Sequence, residues 1–197
     1  MIRAPRPGLG LLMLALLVPT TVAAAPSSSR TRRAPHARPN TKKTAKDSAP
    51  AKPNLIGTFG DWGAYVAPGK DKTCYVLAQP KTRAPTTLKR DPAYVFISTR
   101  PAENVHNEIS IVEGFDVKTD ASQSASAEIG KASFEMVAKG SDLWLKDDAQ
   151  QAQMIAAMKK NGQMLVKAKS LKGNLTTDTY SLDGLTLALN RVLKACK

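Results

Sequence analysis

Between residues 54 and 197, short segments alternate apolar and polar side chains with a period of two. Most gaps between them are too short for the crossover helix that a parallel sheet requires. Residues 73–78 are one such segment. Residues 93–99 are dense enough in β-formers to be a central strand, and 108–113 and 133–137 also alternate. Shorter strands are predicted at 143–145, 164–168 and 176–180, with Pro, Gly, Asn and Asp clusters between them. Strands at this spacing predict an antiparallel β-sandwich. Two segments switch to the helical period. The first covers 149–160, with Asp148 as N-cap, Met154, Ile155 and Met158 inward, and Asn161-Gly162 as a left-handed stop. Lys159 and Lys160 suit the negative end of its dipole. The second starts near Ser181, with Asp183 in its first turn. It buries Leu185, Ala188, Leu189, Val192 and Leu193 and delivers Cys196 to the chain end.

The net charge of +13, from 29 basic and 16 acidic residues among 197, lies mostly outside this region. Arg3 and Arg6 precede an apolar run at 9–18, followed by Pro19 and Val22-Ala23-Ala24-Ala25. This is the layout of a secretory signal peptide, and its apolar run is shorter than the ~20 residues that span a bilayer. Pro26 disfavours cleavage directly before it, which favours a cut after Ala24, before Ala25, or after Ala23, and no transmembrane anchor is expected after cleavage. Residues 26–53 carry eight bases and one acid and are interrupted by five prolines. Arg30, Arg32, Arg33, Arg38, Lys42, Lys43, Lys46 and Lys52 supply the positive charge, with no aromatic or β-branched aliphatic residue among them. Such a segment cannot offset its ordering entropy and is predicted to be a disordered tether. Three parts follow: a signal peptide at 1–24, a tether at 25–53 and a folded domain at 54–197.

An exported protein with this tether would meet an anionic envelope component, peptidoglycan carboxylates or lipopolysaccharide phosphates. The alternative is a solvated spacer. Nucleic acid is not an expected partner, because export removes the chain from the chromosome and the basic residues lack interleaved stacking aromatics. Cys74 and Cys196 are the two cysteines, and an oxidising compartment favours their pairing over two buried thiols. Two cysteines and one histidine in the folded part are too few for a zinc cage, so no metal is expected.

Residues able to carry chemistry are sparse. His106 is the one histidine after the tether, in what reads as a loop, and no G-x-S-x-G elbow or phosphate-cradling glycine loop occurs. Asp147 and Asp148 fit a helix start better than a hydrolytic pair. No cofactor and no enzymatic activity are expected. An envelope hydrolase would need a pocket joining His106 to Ser98 or Ser110. Two surfaces could bind a partner. One is Phe59, Asp61 and Trp62, unless Trp62 fills the core. The other is a basic patch of Lys159, Lys160, Lys167 and Lys169, with Lys172, formed if the chain folds back at Gly162.

The run Ile56-Gly57-Thr58-Phe59-Gly60-Asp61-Trp62, the cysteine segment 74–81 and the ending Thr177-Asp178-Thr179-Tyr180-Ser181-Leu182 with Gly184 occur in one order. Glu108-Ile109-Ser110, Gly114-Phe115 and Leu143-Trp144 lie between them. Together they resemble the invasion-associated locus B family of exported bacterial proteins over residues 54–196. The resemblance implies an immunoglobulin-like β-sandwich in the cell envelope. Many family members carry a cysteine shortly after the Gly-Asp-Trp element, where this chain has Ala64 and Tyr65. That difference favours a Cys74–Cys196 bridge. The function so implied is a non-enzymatic periplasmic binding or structural protein with an unidentified protein partner. A secreted, virulence-type factor contacting host cells is the alternative.

Overall fold

The computed structural model describes residues 52–119 and 125–197. The signal peptide with Ala24 and Ala25, and the tether from Arg30 to Lys46, lie outside the described residues; Lys52 is exposed just before the first strand. The domain is mainly β, with two antiparallel sheets arranged as an open sandwich.

The larger sheet has the order β1 (Asn54–Phe59), β2 (Trp62–Ala67), β3 (Thr73–Ala78), β5 (Tyr94–Arg100), β6 (Val105–Val112), β10 (Asp142–Trp144) and β9 (Val137–Lys139). The smaller has the order β4 (Thr82–Ala84), β12 (Leu175–Ser181), β11 (Gln163–Lys169), β7 (Ala125–Ile129) and β8 (Ala132–Glu135). Alternation sets the faces. Cys74, Val76 and Ala78, Val95 and Ile97, Ile109 and Ile111 point inward from the large sheet. Met164, Val166, Ala168 and Tyr180 answer from the small one. Three hairpins close with a two-residue turn led by a glycine of positive φ: Gly60-Asp61, Gly130-Lys131 and Gly140-Ser141. Glycine at that position matches the twist of the flanking strands.

The helices complete the layers. Helix α2 (Leu185–Ala195) packs on β1, β2 and β3, covering the part of the large sheet that the small sheet leaves open. Helix α1 (Asp148–Met158) bears on β6, β7 and β8, bridging both sheets with Met154, Ile155 and Met158 buried. The Ile109 amide donates to Gln151 Oε1 at 2.6 Å, which fastens α1 to β6.

The observed elements differ from the sequence expectations at several boundaries. The N-cap of α1 is Asp147, whose carboxylate accepts from the Gln150 amide at 2.7 Å; Asp148 is already helical. Asn161-Gly162 makes no left-handed stop: the helix ends through a right-handed Lys159, and Asn161 Nδ2 donates to the Ala157 carbonyl. The second helix begins at Leu185, behind a left-handed Gly184. Ser181 remains the last residue of β12, because its strand pairing with Gln163 wins. Leu193 faces solvent rather than the core. The segment 133–137 is two strands, not one. Met136 lies between them, buried, and passes the chain from the small sheet to the large. His106 is exposed but sits near the start of β6, not in a loop.

Cys74 and Cys196 form a disulfide with Cα atoms 6.0 Å apart and a sequence separation of 122. It locks the end of α2 to β3, and Lys72 Nζ adds a hydrogen bond to the Ala195 carbonyl. Closing so long a loop in the unfolded chain is worth about 4–5 kcal/mol. Cys196→Ser is expected to lower the thermal midpoint of the oxidised protein by several degrees in calorimetry. An unchanged midpoint would show that the bridge does not constrain the unfolded chain.

Candidate functional site

The Phe59–Trp62 element is a structural joint. Trp62 is 0% exposed, and its indole Nε1 donates to the Ser181 carbonyl at 3.1 Å. Trp62 is therefore closed to a partner in this fold. A Cβ on Gly60 would stand 2.4 Å from the Asp183 carbonyl oxygen, and one on Gly184 would stand 2.1 Å from that of Phe59. The two turns thus touch backbone to backbone, with both glycines at positive φ. Phe59 is partly buried, its ring lying over Gly57. Asp61 is half-exposed and pairs with Lys81 Nζ at 2.9 Å. Hydrogen bonds from Lys81 and then Ser181 hold its carboxyl below the usual range.

The surface beside this joint is aromatic. Tyr65, Tyr75, Phe96 and Tyr94 lie on the outer face of the large sheet, half-exposed across β2, β3 and β5. The Tyr65 and Tyr75 rings stack at 5.1 Å, Tyr75 and Phe96 tilt at 5.9 Å, and Phe96 and Tyr94 at 6.1 Å. Cross-strand register continues the row from Phe96 through Ser110 to a half-buried Trp144. Gly63 has no Cβ because the Tyr65 ring occupies that space, 2.6 Å from where it would be. An open groove of about 700 Å³ runs alongside, lined by Asp61, Tyr65, Leu77, Gln79, Lys81 and Tyr94. The Tyr65 ring lies along its strand over Gly63, and the row as a whole combines ring surface with three tyrosine hydroxyl groups. That mixture of apolar area and hydrogen-bonding groups is typical of protein-binding surfaces. The sequence showed Tyr75, Tyr94 and Phe96 only as strand formers and did not place Tyr65 on a strand, since which face they occupy depends on register.

A second constellation is internal. Asp178 on β12 is fully buried, where its carboxylate accepts from Arg83 Nε at 2.8 Å and Arg90 Nη1 at 2.7 Å. Arg83 also donates to the carbonyls of Asp91 and Glu113. The Arg90 guanidinium sits 5.9 Å over the Phe115 ring. Beside them, both Glu113 carboxyl oxygens and the Tyr180 hydroxyl are buried without a hydrogen-bond partner. Burial first, then the charge of Asp178, push the Glu113 carboxyl up to about 8, against the pull of Arg83 and Arg90. An acid at an inward-facing strand position, as in Thr176-Asp178-Tyr180, is the signal that would have found this group.

The basic residues do not form one patch. Lys159 and Lys160 are exposed at the end of α1, whereas Lys167 is paired with Glu128 at 2.7 Å. Lys169 closes β11, about 20 Å of strand away from its start at Gln163. The cleft beside His106, about 310 Å³, is walled by Asn107, Asp148, Gln151, Ile155 and Lys159, and neither Ser98 nor Ser110 lines it. Both serines sit half-buried on the strands of the large sheet. Among the described residues, no three metal-ligating side chains cluster and no helix is long and apolar enough to cross a membrane. No family model, curated protein or solved structure matches the chain.

The two constellations give separate predictions. Trp62→Ala is expected to cost about 3–5 kcal/mol in denaturant titration, as removal of a buried aromatic does elsewhere. For Glu113, the folded chain holds a proton that the unfolded chain releases near pH 4.5. Stability therefore falls as pH rises from about 4.5 to about 8, by up to ~1.4 kcal/mol per unit. Glu113→Gln is expected to flatten that slope and to be the more stable form at pH 8. Parallel stability–pH curves for the two proteins would refute the assignment.

Proposed function

We propose that this protein is an exported, non-enzymatic binding module of the bacterial cell envelope. In this reading the aromatic face of the large sheet holds a protein partner, and the basic tether keeps the module near an anionic surface. The half-exposed row Tyr65–Tyr75–Phe96–Tyr94 carries the proposal. Tyrosine and tryptophan enrich binding hot spots because they offer large rigid contact area with a polar edge. Asp61 and Lys81 stand at the rim of the adjoining groove, where charges set orientation more than affinity.

The disulfide supports an oxidising compartment, and the leader-like N-terminus supports export to the periplasm. The resemblance to the invasion-associated locus B family points the same way. The tether acts through charge alone in this scheme, toward peptidoglycan carboxylates or lipopolysaccharide phosphates, and its hold weakens as salt shortens the Debye length.

A photoreactive phenylalanine in place of Tyr94 is expected to cross-link an envelope protein in intact cells, while one in place of Lys131 does not. Equal labelling from both positions, or none from Tyr94, would refute the aromatic face as the binding surface. Retention on purified sacculi or lipopolysaccharide is expected to fall with salt and with replacement of the eight tether bases by glutamine. Retention indifferent to both would refute the tether, and recovery of the protein outside the cell alone would favour a host-contacting factor.

A further inference from the structure

We propose that the β11–β12 hairpin tip is a docking wedge for a bilayer carrying anionic lipid. Leu175 and Leu171 are 74% and 62% exposed, the most exposed large apolar side chains among the described residues, and both lie at this tip. Their exposure is imposed by a rigid turn. The Ser170 amide donates to the Asn174 carbonyl at 2.9 Å, the Gly173 amide to the Ser170 carbonyl at 2.8 Å, and the Asn174 amide to Ser170 Oγ at 3.1 Å. The tip is also braced from outside. The Leu171 amide donates to the Asp116 carbonyl and the Lys118 amide to the Lys169 carbonyl, and Val117 bridges Ser170. The leucines cannot fold back under the sheet without breaking this lattice.

The surrounding charge selects the partner. Lys167 is paired with Glu128, but residues 168–177 contain Lys169 and Lys172 and no acid, and Lys172 and the neighbouring Lys89 are exposed. Lys89 belongs to the loop that faces the hairpin across a cleft of about 300 Å³, lined also by Leu88, Phe115, Asp116 and Leu171. Arg90 in the same wall is committed to Asp178 and is not available to a ligand. Exposed leucines flanked by Lys89, Lys169 and Lys172 fit an interface where the acyl boundary takes the apolar tips and the lysine stems reach anionic head groups. A protein partner would need a matching concave pocket with negative walls. The wedge is separate from the aromatic face and from the tether, and it stands or falls without them.

The test uses the whole protein with vesicles of phosphatidylglycerol and phosphatidylethanolamine, against vesicles of phosphatidylcholine. A variant with all eight tether bases changed to glutamine is expected to keep binding the anionic vesicles. In that background, Leu171→Ser with Leu175→Ser is expected to weaken binding at least tenfold with an unchanged melting temperature. Lys169→Gln with Lys172→Gln is expected to weaken it and to reduce its salt dependence. The indole added by Leu171→Trp is expected to shift its emission to the blue on anionic vesicles and to be quenched by brominated acyl chains. An unaltered affinity of the double-serine variant, no vesicle binding once the tether is neutral, or an unshifted emission from the Leu171→Trp variant would each overturn the wedge.

Discussion

The backbone contact between the Gly60 turn and the Gly184 turn fixes how the two ends of the domain meet. With Cβ atoms forbidden on both sides, the β1–β2 hairpin can sit against the β12–α2 connection, and Trp62 can reach the Ser181 carbonyl. That approach sets the start of α2. The helix then lays Leu185, Ala188, Leu189 and Val192 over β1–β3, and the disulfide closes its far end. The open side of the sandwich is thereby sealed by a helix, which leaves the opposite face of the same sheet free to display its aromatic row.

The buried ion group does comparable work at the other joint. Arg83 and Arg90 come from β4 and the loop behind it, and Asp178 comes from the middle of β12. Two guanidinium groups on one carboxylate, with further bonds to the Asp91 and Glu113 carbonyls, hold an irregular stretch of chain in place where few apolar contacts could. Breaking such a buried pair costs more than forming it gains, so the arrangement specifies conformation rather than adding much stability. Glu113 is the cost of this packing: a carboxyl left without a partner among charges that satisfy each other.

Where side chains alternate strongly, the sequence was a good guide. Residues 73–78 match β3, and 164–168 and 176–180 fall inside β11 and β12. Strands that depend on pairing rather than pattern were not legible: β4 and β7 are short or alanine-rich, and β1 and β2 hide inside a glycine-rich motif. Met136 defeats a local reading for a different reason, since a change of sheet leaves no mark on apolar periodicity. The site was legible to a lesser degree. Asp61 and the basic residues announce themselves by type. The aromatic row exists only once register places Tyr65, Tyr75 and Phe96 side by side, and the hairpin leucines resemble core residues until the turn turns them out.

The Cys74–Cys196 bond also makes the domain a covalent ring with a short tail. Every strand of the small sheet lies within the ring, and of the large sheet only β1 and β2 lie wholly outside it. A protease that cuts any connection between residues 74 and 196 opens the ring but releases no fragment. The two new ends stay joined through sulfur and through strands that interleave across both sheets. Release of any piece of the ring therefore takes a second cut or reduction of the bond, whereas β1 and β2, outside it, can be removed by a single cut ahead of Cys74.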